Sequence, residues 1–544
     1  MQIGILKERL KNTSLPDQVR ESAETELSRA SGAPTSSIEY NTICSYIDWI
    51  LALPWGRYSK SDIDLSEAAL ILNEHIIGLR KAKNRILEIM STSMTDPDTG
   101  IVPPISLTGS TGTGKRSFAS TVAKAFGRNY IELSRDCFRT ESDIRGEWRR
   151  DIGNRPGALI RALSECGTAD PVILVDGSWL FQDNGSPEML SILTELLCRG
   201  KTRAFYDRYI NLDFDLSRAM LFITARADHQ LPPEISDVCE NISFPGYTNK
   251  TKMEIARRSL IPKKLQGTGL AIGSRSFTDD ILTAIITGYT FESGVHQLEG
   301  VTETLCRKLA REKYEMGVRR FSLSVADIAE LLGPPTIRPE IVGRYPEVGN
   351  VTAPIAGISG GSVIFVEANR MSGHGNVKVT GAEHSVINEL VEQSISFVLS
   401  HIDDLELSRE MIDSSDIHIH YPPGVASVDA RSLGLATIVV LVSLFSEMPV
   451  HQNFAFCGEI TLRGKILPVD YIEEKVFAAH RAGVTRIYLS SHNKREISFV
   501  PEEIRNDIEF VFADTVSDAL SDSLMKIIVP NRNLDPEIDA LTGD

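Results

Sequence analysis

Cysteine is scarce and unpatterned: seven residues in 544, an odd number. No CxxC spacing occurs, so neither a disulfide framework nor a zinc site is signalled, and the usage suits a reducing compartment. Long apolar runs are lacking too. The longest, around LATIVVLVSLF, is too short to cross a bilayer. The N-terminal MQIGILKERLKN has neither the apolar core nor the cleavage site of a signal peptide. Positive charge is in deficit, with a formal net charge of −16. That argues against a nucleic-acid-binding protein, which normally carries a basic face, although RGEWRRDIGNR is a local basic patch. These absences describe a cytoplasmic protein with no membrane and no nucleic-acid partner. Charged residues at 24% and hydrophobic residues at 42% are ordinary for a soluble globular chain, and the length allows two to four domains.

The hydrophobic pattern divides the chain. Residues 1–64 read as a helical segment, with LPDQVRESAETELSRA and YNTICSYIDWILALPWG at helical spacing. Residues 65–247 alternate short apolar runs with helical stretches, as a parallel α/β sheet does. Its clearest strands are ISLTG, PVILVD and AMLFITA. A helical region follows at 248–335, then a Pro-rich linker at 336–347, GPPTIRPE at its start. Residues 348–530 form a third unit of strands and helices, including GSVIFVEA, DIHIHYPPG, EITLRG and VTRIYLSS; residues 531–544 read as a loose acidic tail. The expected fold class is α/β multidomain.

GSTGTGKRS, from Gly109 through Gly114 and Lys115 to Ser117, follows a strand and opens a helix, the setting of a phosphate-binding loop. The hydroxyl residue that should follow the lysine to hold magnesium is Arg116. A guanidinium cannot ligate magnesium, and its bulk is expected in the cation's place. Ser117 is turned about 100° away along the helix. Asp176 ends the next strand and could serve a magnesium ion at second hand, but the carboxylate that should follow it to orient water is replaced by Gly177. The parts for phosphoryl transfer are missing. Nucleotide binding stays open, and hydrolysis is not expected.

These segments, taken in order, resemble the Lon proteases over nearly the whole chain. SLPDQVRESAETELSRA with YIDWILALPWGRY is similar to the helices preceding the Lon ATPase module. ESDIRGEWRRDIGNRPGALIRAL, DLSRAMLFITA and YTFESGVHQLEG are similar to its pore-loop region, later ATPase segments and helical lid. DIHIHYPPGVASVDARSLGLAT, GEITLRGKILPV and EEKVFAAHRAGV are similar to its peptidase domain. The large N-terminal domain common in Lon has no counterpart in this sequence. The resemblance implies a degenerate AAA+ module with a helical lid, then an α+β peptidase domain of the Ser–Lys type (peptidase S16). Within the ATPase half it sets Arg226 at the first sensor position, Val238 at the arginine that reaches a neighbouring subunit, and His296 at the second sensor arginine. Asp151, followed by Ile152, stands where the pore-loop aromatic belongs.

The peptidase half keeps its expected chemistry. DARSLG corresponds to the family's nucleophile motif, giving Ser432 as nucleophile with Asp429 and Gly434 beside it, and Lys475 falls at the general base. Two glycines that precede the base in the family are Asp470 and Tyr471. A serine hydroxyl needs a base to take its proton, and a lysine serves only when neutral, so burial among Ile472, Val476 and Phe477 is expected to lower its pKa. Ser432 precedes an apolar helix, whose N-terminus and backbone N–H are expected to stabilise an oxyanion. Asp429 suits a helix cap or turn more than a direct catalytic role. His418 and His420 share a strand face; with no third ligand at useful spacing, no metal is expected, and the resemblance places such residues on the chamber wall. Cys457, where Lon often has threonine, is expected as a small buried residue, and Glu367 is a weaker candidate for the site's surroundings.

The expected function is therefore an ATP-independent Lon-like serine endopeptidase that needs no cofactor. It would degrade unfolded or small flexible proteins inside a ring of copies, six by the family resemblance. Residues 60–335 would form and gate that ring. The patch around Trp148 would line its entrance or an intersubunit surface. An ATP-dependent protease with a weak motor and a non-enzymatic holdase are the alternatives.

Overall fold

The computed structural model describes residues 2–59, 64–95, 102–149, 153–177, 187–197, 204–226, 231–266, 276–316, 323–335, 342–343, 345–357, 360–381, 385–422 and 429–524. Asp151, Ile152 and the tail at 531–544 lie outside these residues. The chain divides into two compact units, Met1–Pro335 and Thr336–Asp544.

In the first unit, β1 (Ile105–Gly109), β2 (Tyr130–Leu133), β3 (Val172–Asp176), β6 (Met220–Ala225) and β7 (Glu240–Phe244) form one sheet, while β4 (Ala204–Asp207) and β5 (Leu212–Asp215) make a separate hairpin. The sheet order is β2-β3-β6-β1-β7 and every pairing is parallel. Its strands are apolar on both faces, as a sheet covered by helices requires: Ile105, Leu107, Val172, Ile173, Leu174 and Val175 are all buried. The N-terminal helices Asp17–Gly32 and Ile38–Ala52 share a core with β3 and β6 through Ile173, Val175, Leu221 and Ile223. The second of these helices stops at Ala52, two residues before Pro54, whose ring disfavours a helical residue ahead of it. The helices Asp279–Tyr289, His296–Met316 and Val325–Leu332 gather around their own apolar core.

Two arginines of the basic patch have partners within the chain. Arg149 lies 3.8 Å over the Tyr46 ring and 3.5 Å from Glu26, and Arg145 pairs with Glu195 and Glu141. Arg149 thereby joins the N-terminal helices to the α/β layer, while Trp148 is exposed.

In the second unit, β8 (Asn350–Gly357), β9 (Gly360–Ser372), β10 (Val377–Thr380), β11 (Ser415–His420), β12 (Phe454–Phe456), β15 (Arg486–Ser490) and β16 (Glu509–Ala513) make a mixed sheet ordered β10-β11-β9-β8-β12-β15-β16. β13 (Glu459–Ile460) and β14 (Ile466–Leu467) pair separately, so only the first two residues of EITLRG are strand and the rest turns back. The helix Gly434–Ser446 is buried on every side, with Leu435, Ile438, Val439 and Leu441 at 1% exposure or less. The helix Ile472–Ala482 packs its Val476 and Ala479 with Val363 of β9 and Ile487 of β15. Two residues of the expected linker belong to this unit: Val342 N–H donates to the Ala482 carbonyl, and Glu347 pairs with Val450.

Candidate active site

The sequence from Asp429 to Leu435 forms a single tight turn running into a helix. Ala430–Leu433 is a 3-10 turn, and the helix Gly434–Ser446 continues from it. Gly458 stitches that turn to the neighbouring chain: its N–H donates to the Ser432 carbonyl at 2.9 Å, and its carbonyl accepts from Leu435 N–H at 3.0 Å. A Cβ on Gly434 would lie 2.9 Å from Ile460 Cγ1 and 3.2 Å from the Gly458 carbonyl, so glycine is what lets the two segments approach. Lys475 comes from one turn inside the helix Ile472–Ala482, on the face covered by Val363 and Cys457.

Three elements thus bring four side chains together in a buried cluster. Ser432 is 3% exposed, Asp429 6%, Lys475 1% and Cys457 0%. Lys475 Nζ lies 2.7 Å from Asp429 Oδ1 and donates to the Asp470 carbonyl at 2.9 Å. The other Asp429 oxygen accepts the Ala356 N–H at 2.6 Å. Ser432 Oγ donates to the Asp429 main-chain carbonyl at 2.8 Å, and the Ser432 N–H donates to the same oxygen at 3.1 Å. Cys457 adds a thiol that faces both Ser432 and Lys475.

Three expectations are corrected by this geometry. Lys475 is not made neutral by apolar burial. Burial does disfavour its ammonium, but Cys457, Asp429 and Asp470 outweigh it and the net displacement is upward. The Asp429 side chain makes no cap hydrogen bond; its carboxylate is the counterion of Lys475. The Ser432 N–H is engaged by the turn it sits in and so is not free for an oxyanion. Burial pushes the Asp429 carboxyl up, against the lowering pull of Lys475 and the Ala356 N–H. The Cys457 thiol is pushed up to about 11 by burial, which makes it a poor nucleophile.

The other named residues stand apart from this cluster. His418 Nε2 and His420 Nδ1 both meet Thr380 Oγ1, at 2.8 and 3.0 Å, tying β11 to β10. Glu367 is exposed on β9 and pairs in register with His420 and Asn350. Among the described residues no group of three or more His, Cys, Asp or Glu could hold a metal ion. The Ala356 N–H was not legible as a partner of Asp429. Only the Asp470–Tyr471 departure gave a signal near the base.

The nucleotide loop keeps its cradle. Gly112 and Gly114 are left-handed, at φ 78° and 87°, and the helix Lys115–Ala125 opens behind them. Lys115 Nζ hooks the Gly109 and Ser110 carbonyls at 2.7 and 2.8 Å. Its pKa is brought down to about 8, chiefly by burial, with Asp176 opposing and Arg226 assisting. The lid side abuts the loop, since Val295 N–H donates to the Gly112 carbonyl at 3.1 Å while His296 itself is exposed. Arg116 does not occupy the cation position expected from sequence: its Nε pairs with Glu132 of β2 at 2.7 Å and its side chain is 66% exposed. Ser117 is exposed as well. Gly177 is pinned by its N–H to Thr224 Oγ1 at 3.2 Å, and that hydroxyl also meets Asp176 Oδ1 at 3.3 Å. A Cβ there would run into the Thr224 carbonyl and lie 3.0 Å from Ile223 Cγ1. The loop therefore keeps its backbone shape, while Arg116 and Gly177 stand where a hydroxyl and a carboxylate would serve magnesium and water.

Two family descriptions match the chain: the Lon protease (S16) C-terminal proteolytic domain over residues 322–526, and the Lon protease AAA+ ATPase lid domain over 266–321. The chain is similar to a Lon protease of Dictyoglomus thermophilum, 34% identical over 538 residues, which covers 99% of this chain and 68% of that one. It is similar to Lon protease 2 of Thermus thermophilus, 35% identical over 530 residues, with 95% and 66% covered. A Lon protease of Anaeromyxobacter dehalogenans is 35% identical over 521 residues, with 95% and 62% covered. The chain thus spans about two-thirds of the length of these relatives.

Proposed function

The chain belongs to the Lon protease family, and from that premise we propose that it is a serine endopeptidase acting through Ser432 and Lys475 without ATP hydrolysis. The observation that supports this reading most is the sealed cluster around Asp429, whose carboxylate lies 2.7 Å from Lys475 Nζ and whose main-chain oxygen holds the Ser432 hydroxyl.

The arrangement is a resting one. Lys475 carries its proton, and Ser432 Oγ is turned to the Asp429 carbonyl. Acylation needs two changes. Nζ passes a proton to Asp429 Oδ1 along the existing contact, a transfer that the burial-raised carboxyl makes less costly because a neutral pair is less penalised than two charges in a dry site. The 3-10 turn then opens, which frees the Ser432 hydroxyl and N–H together, since one carbonyl holds both. The neutral amine takes the hydroxyl proton as Oγ attacks the substrate carbonyl, and returns it to the leaving amine. Water repeats the sequence on the acyl-enzyme. The released N–H becomes the donor for the oxyanion.

The first unit serves as scaffold in this reading. With no magnesium hydroxyl and no water-orienting carboxylate, it cannot drive unfolding, so substrates are unfolded or flexible proteins that diffuse in. A homohexameric ring in the cytoplasm is the setting that agrees with the family and with the charge of the chain.

Cleavage of a casein-like unfolded protein, with and without ATP and magnesium, tests this reading. Wild type, Ser432→Ala and Lys115→Ala are compared. Cleavage lost only in the serine variant, and indifferent to ATP, is the expected result. A requirement for ATP defeats it, and protection of the substrate by wild type and Ser432→Ala alike points to a holdase.

A further inference from the structure

The Lys475 ammonium has a second acceptor, the Asp470 main-chain oxygen at 2.9 Å. Two features aim that carbonyl. Tyr471 is left-handed, at φ 57° and ψ 39°, a conformation that L side chains rarely adopt. Such a residue persists only where its surroundings over-determine it. One side is held by the helix, through Lys475 N–H to the Tyr471 carbonyl at 3.1 Å. The other is held by Asn493, which grips both main-chain polar atoms of Val469. Val469 N–H donates to Asn493 Oδ1 at 3.1 Å, and Asn493 Nδ2 donates to the Val469 carbonyl at 2.9 Å. Asn493 is 1% exposed, and its amide also donates to Glu496 Oε2 at 2.5 Å, which fixes which end of the amide points where. A buried amide satisfied on both ends by one residue's backbone substitutes for a strand pair. Asp470 is thus flanked by two anchored residues, Val469 on Asn493 and Tyr471 on the helix.

The consequence for the base is geometric. A neutral amine has two N–H bonds and one lone pair. When one N–H is committed to the Asp470 carbonyl, the rotation of Nζ is restricted and so is the direction of its lone pair. Asp429 holds the amine less firmly in the reacting state, because Oδ1 then carries the proton and Oδ2 is already taken by the Ala356 N–H. We propose that Asn493 is a positioning residue for Lys475, holding the Asp470 carbonyl so that the neutral amine presents its lone pair to Ser432. This inference rests on the reading of Lys475 as the base of Ser432. Asn493 itself touches neither the serine nor the amine in this account; it acts through Val469 and Asp470.

A merely structural strap and a positioning residue differ in what they move. Losing a strap lowers the fraction of folded sites and leaves each surviving site unchanged. Losing the carbonyl removes a partner of the ammonium, so the proton shared by the Lys475–Asp429 pair shifts toward the carboxyl and the acidic limb of kcat/KM, which belongs to that pair, moves to lower pH. Full-length wild type, Asn493→Ala and Asn493→Asp combined with Glu496→Gln are assayed on a fluorogenic peptide from pH 6 to 10, with active sites counted by fluorophosphonate labelling of Ser432. The expected result for Asn493→Ala is a per-site kcat at least tenfold lower, KM within twofold, and an acidic limb lowered by half a pH unit or more. The amide of Val469 should also exchange faster with solvent. If the alanine variant shows no cooperative unfolding, Asn493→Asp combined with Glu496→Gln carries the test, since the pair keeps an acceptor for Val469 N–H, loses the donor to the Val469 carbonyl, and sets no two carboxylates against each other. A per-site kcat within twofold of wild type and a superimposable pH profile overturn the inference alone. Absence of Ser432-dependent cleavage in wild type overturns the peptidase reading, and this inference with it.

Discussion

Asp429→Asn replaces the counterion of Lys475 with a neutral group of the same shape. Both partners are nearly sealed from water, at 6% and 1% exposure, so solvent cannot take over the role of the carboxylate. Leaving one charge of a buried pair uncompensated costs about 3–5 kcal/mol. A second limit comes from the amine itself, which can shed its proton instead. Neutralising a lysine of ordinary pKa at pH 7 costs roughly 4–5 kcal/mol, from about 1.4 kcal/mol per unit. The two routes agree, and the variant is expected to lose about 4 kcal/mol. For a unit of this size each kcal/mol moves Tm by about 2–4 °C, so a fall of roughly 8–16 °C is expected on a melting curve. Asp429→Asn combined with Lys475→Met removes both charges and should recover most of that loss. The pH dependence follows from the raised pKa of Lys475. A base held above its unfolded value contributes stability in full below that unfolded value, and the contribution fades as pH rises through the folded one. The stability gap between wild type and Lys475→Met should therefore be flat from pH 7 to 9 and close in strongly alkaline solution. A loss below about 1 kcal/mol for Asp429→Asn, or a double variant as unstable as the single one, would refute the buried pair.

Gly177→Glu restores the carboxylate the ATPase half lacks, but its Cβ meets the Thr224 carbonyl. The expected outcome is about 1–3 kcal/mol of destabilisation with no phosphate release, even combined with Arg116→Thr; measurable ATP turnover would refute it. Gly361→Ala drives a methyl group into the Glu474 carbonyl, one residue before the base. Peptide cleavage should fall at least tenfold with a lower Tm, and wild-type kinetics would show that the helix can yield. Cys457 is sealed, with its thiol pushed up to about 11. Iodoacetamide at pH 8 should leave it unmodified by mass spectrometry and leave cleavage intact, whereas inactivation coupled to its alkylation would make it part of the chemistry.

Local rules were enough for much of this protein. The period of its apolar residues marked ISLTG, PVILVD and AMLFITA as strands, and they pair in one parallel sheet. The replacements at Arg116 and Gly177 were visible because a motif fixes which residue type each position needs. Ser432, Asp429 and Lys475 were named only through the resemblance to the Lon proteases, since a serine before a helix and a lysine on one are ordinary by local rules. Their relations were not legible, because hydrogen-bond partners and charge states belong to three-dimensional neighbours. Asp429 looked like a cap because its sequence neighbours start a helix, yet its carboxylate turns to a lysine 46 residues away (475 − 429). Apolar flanks suggested a neutral Lys475, but the pKa of a buried amine answers to the charges within a few ångströms, and a carboxylate is one of them. The sequence by itself determined which chemical groups are present and which elements carry them. Only the tertiary structure decided which of these groups face one another, because that depends on distances set by packing between segments remote along the chain.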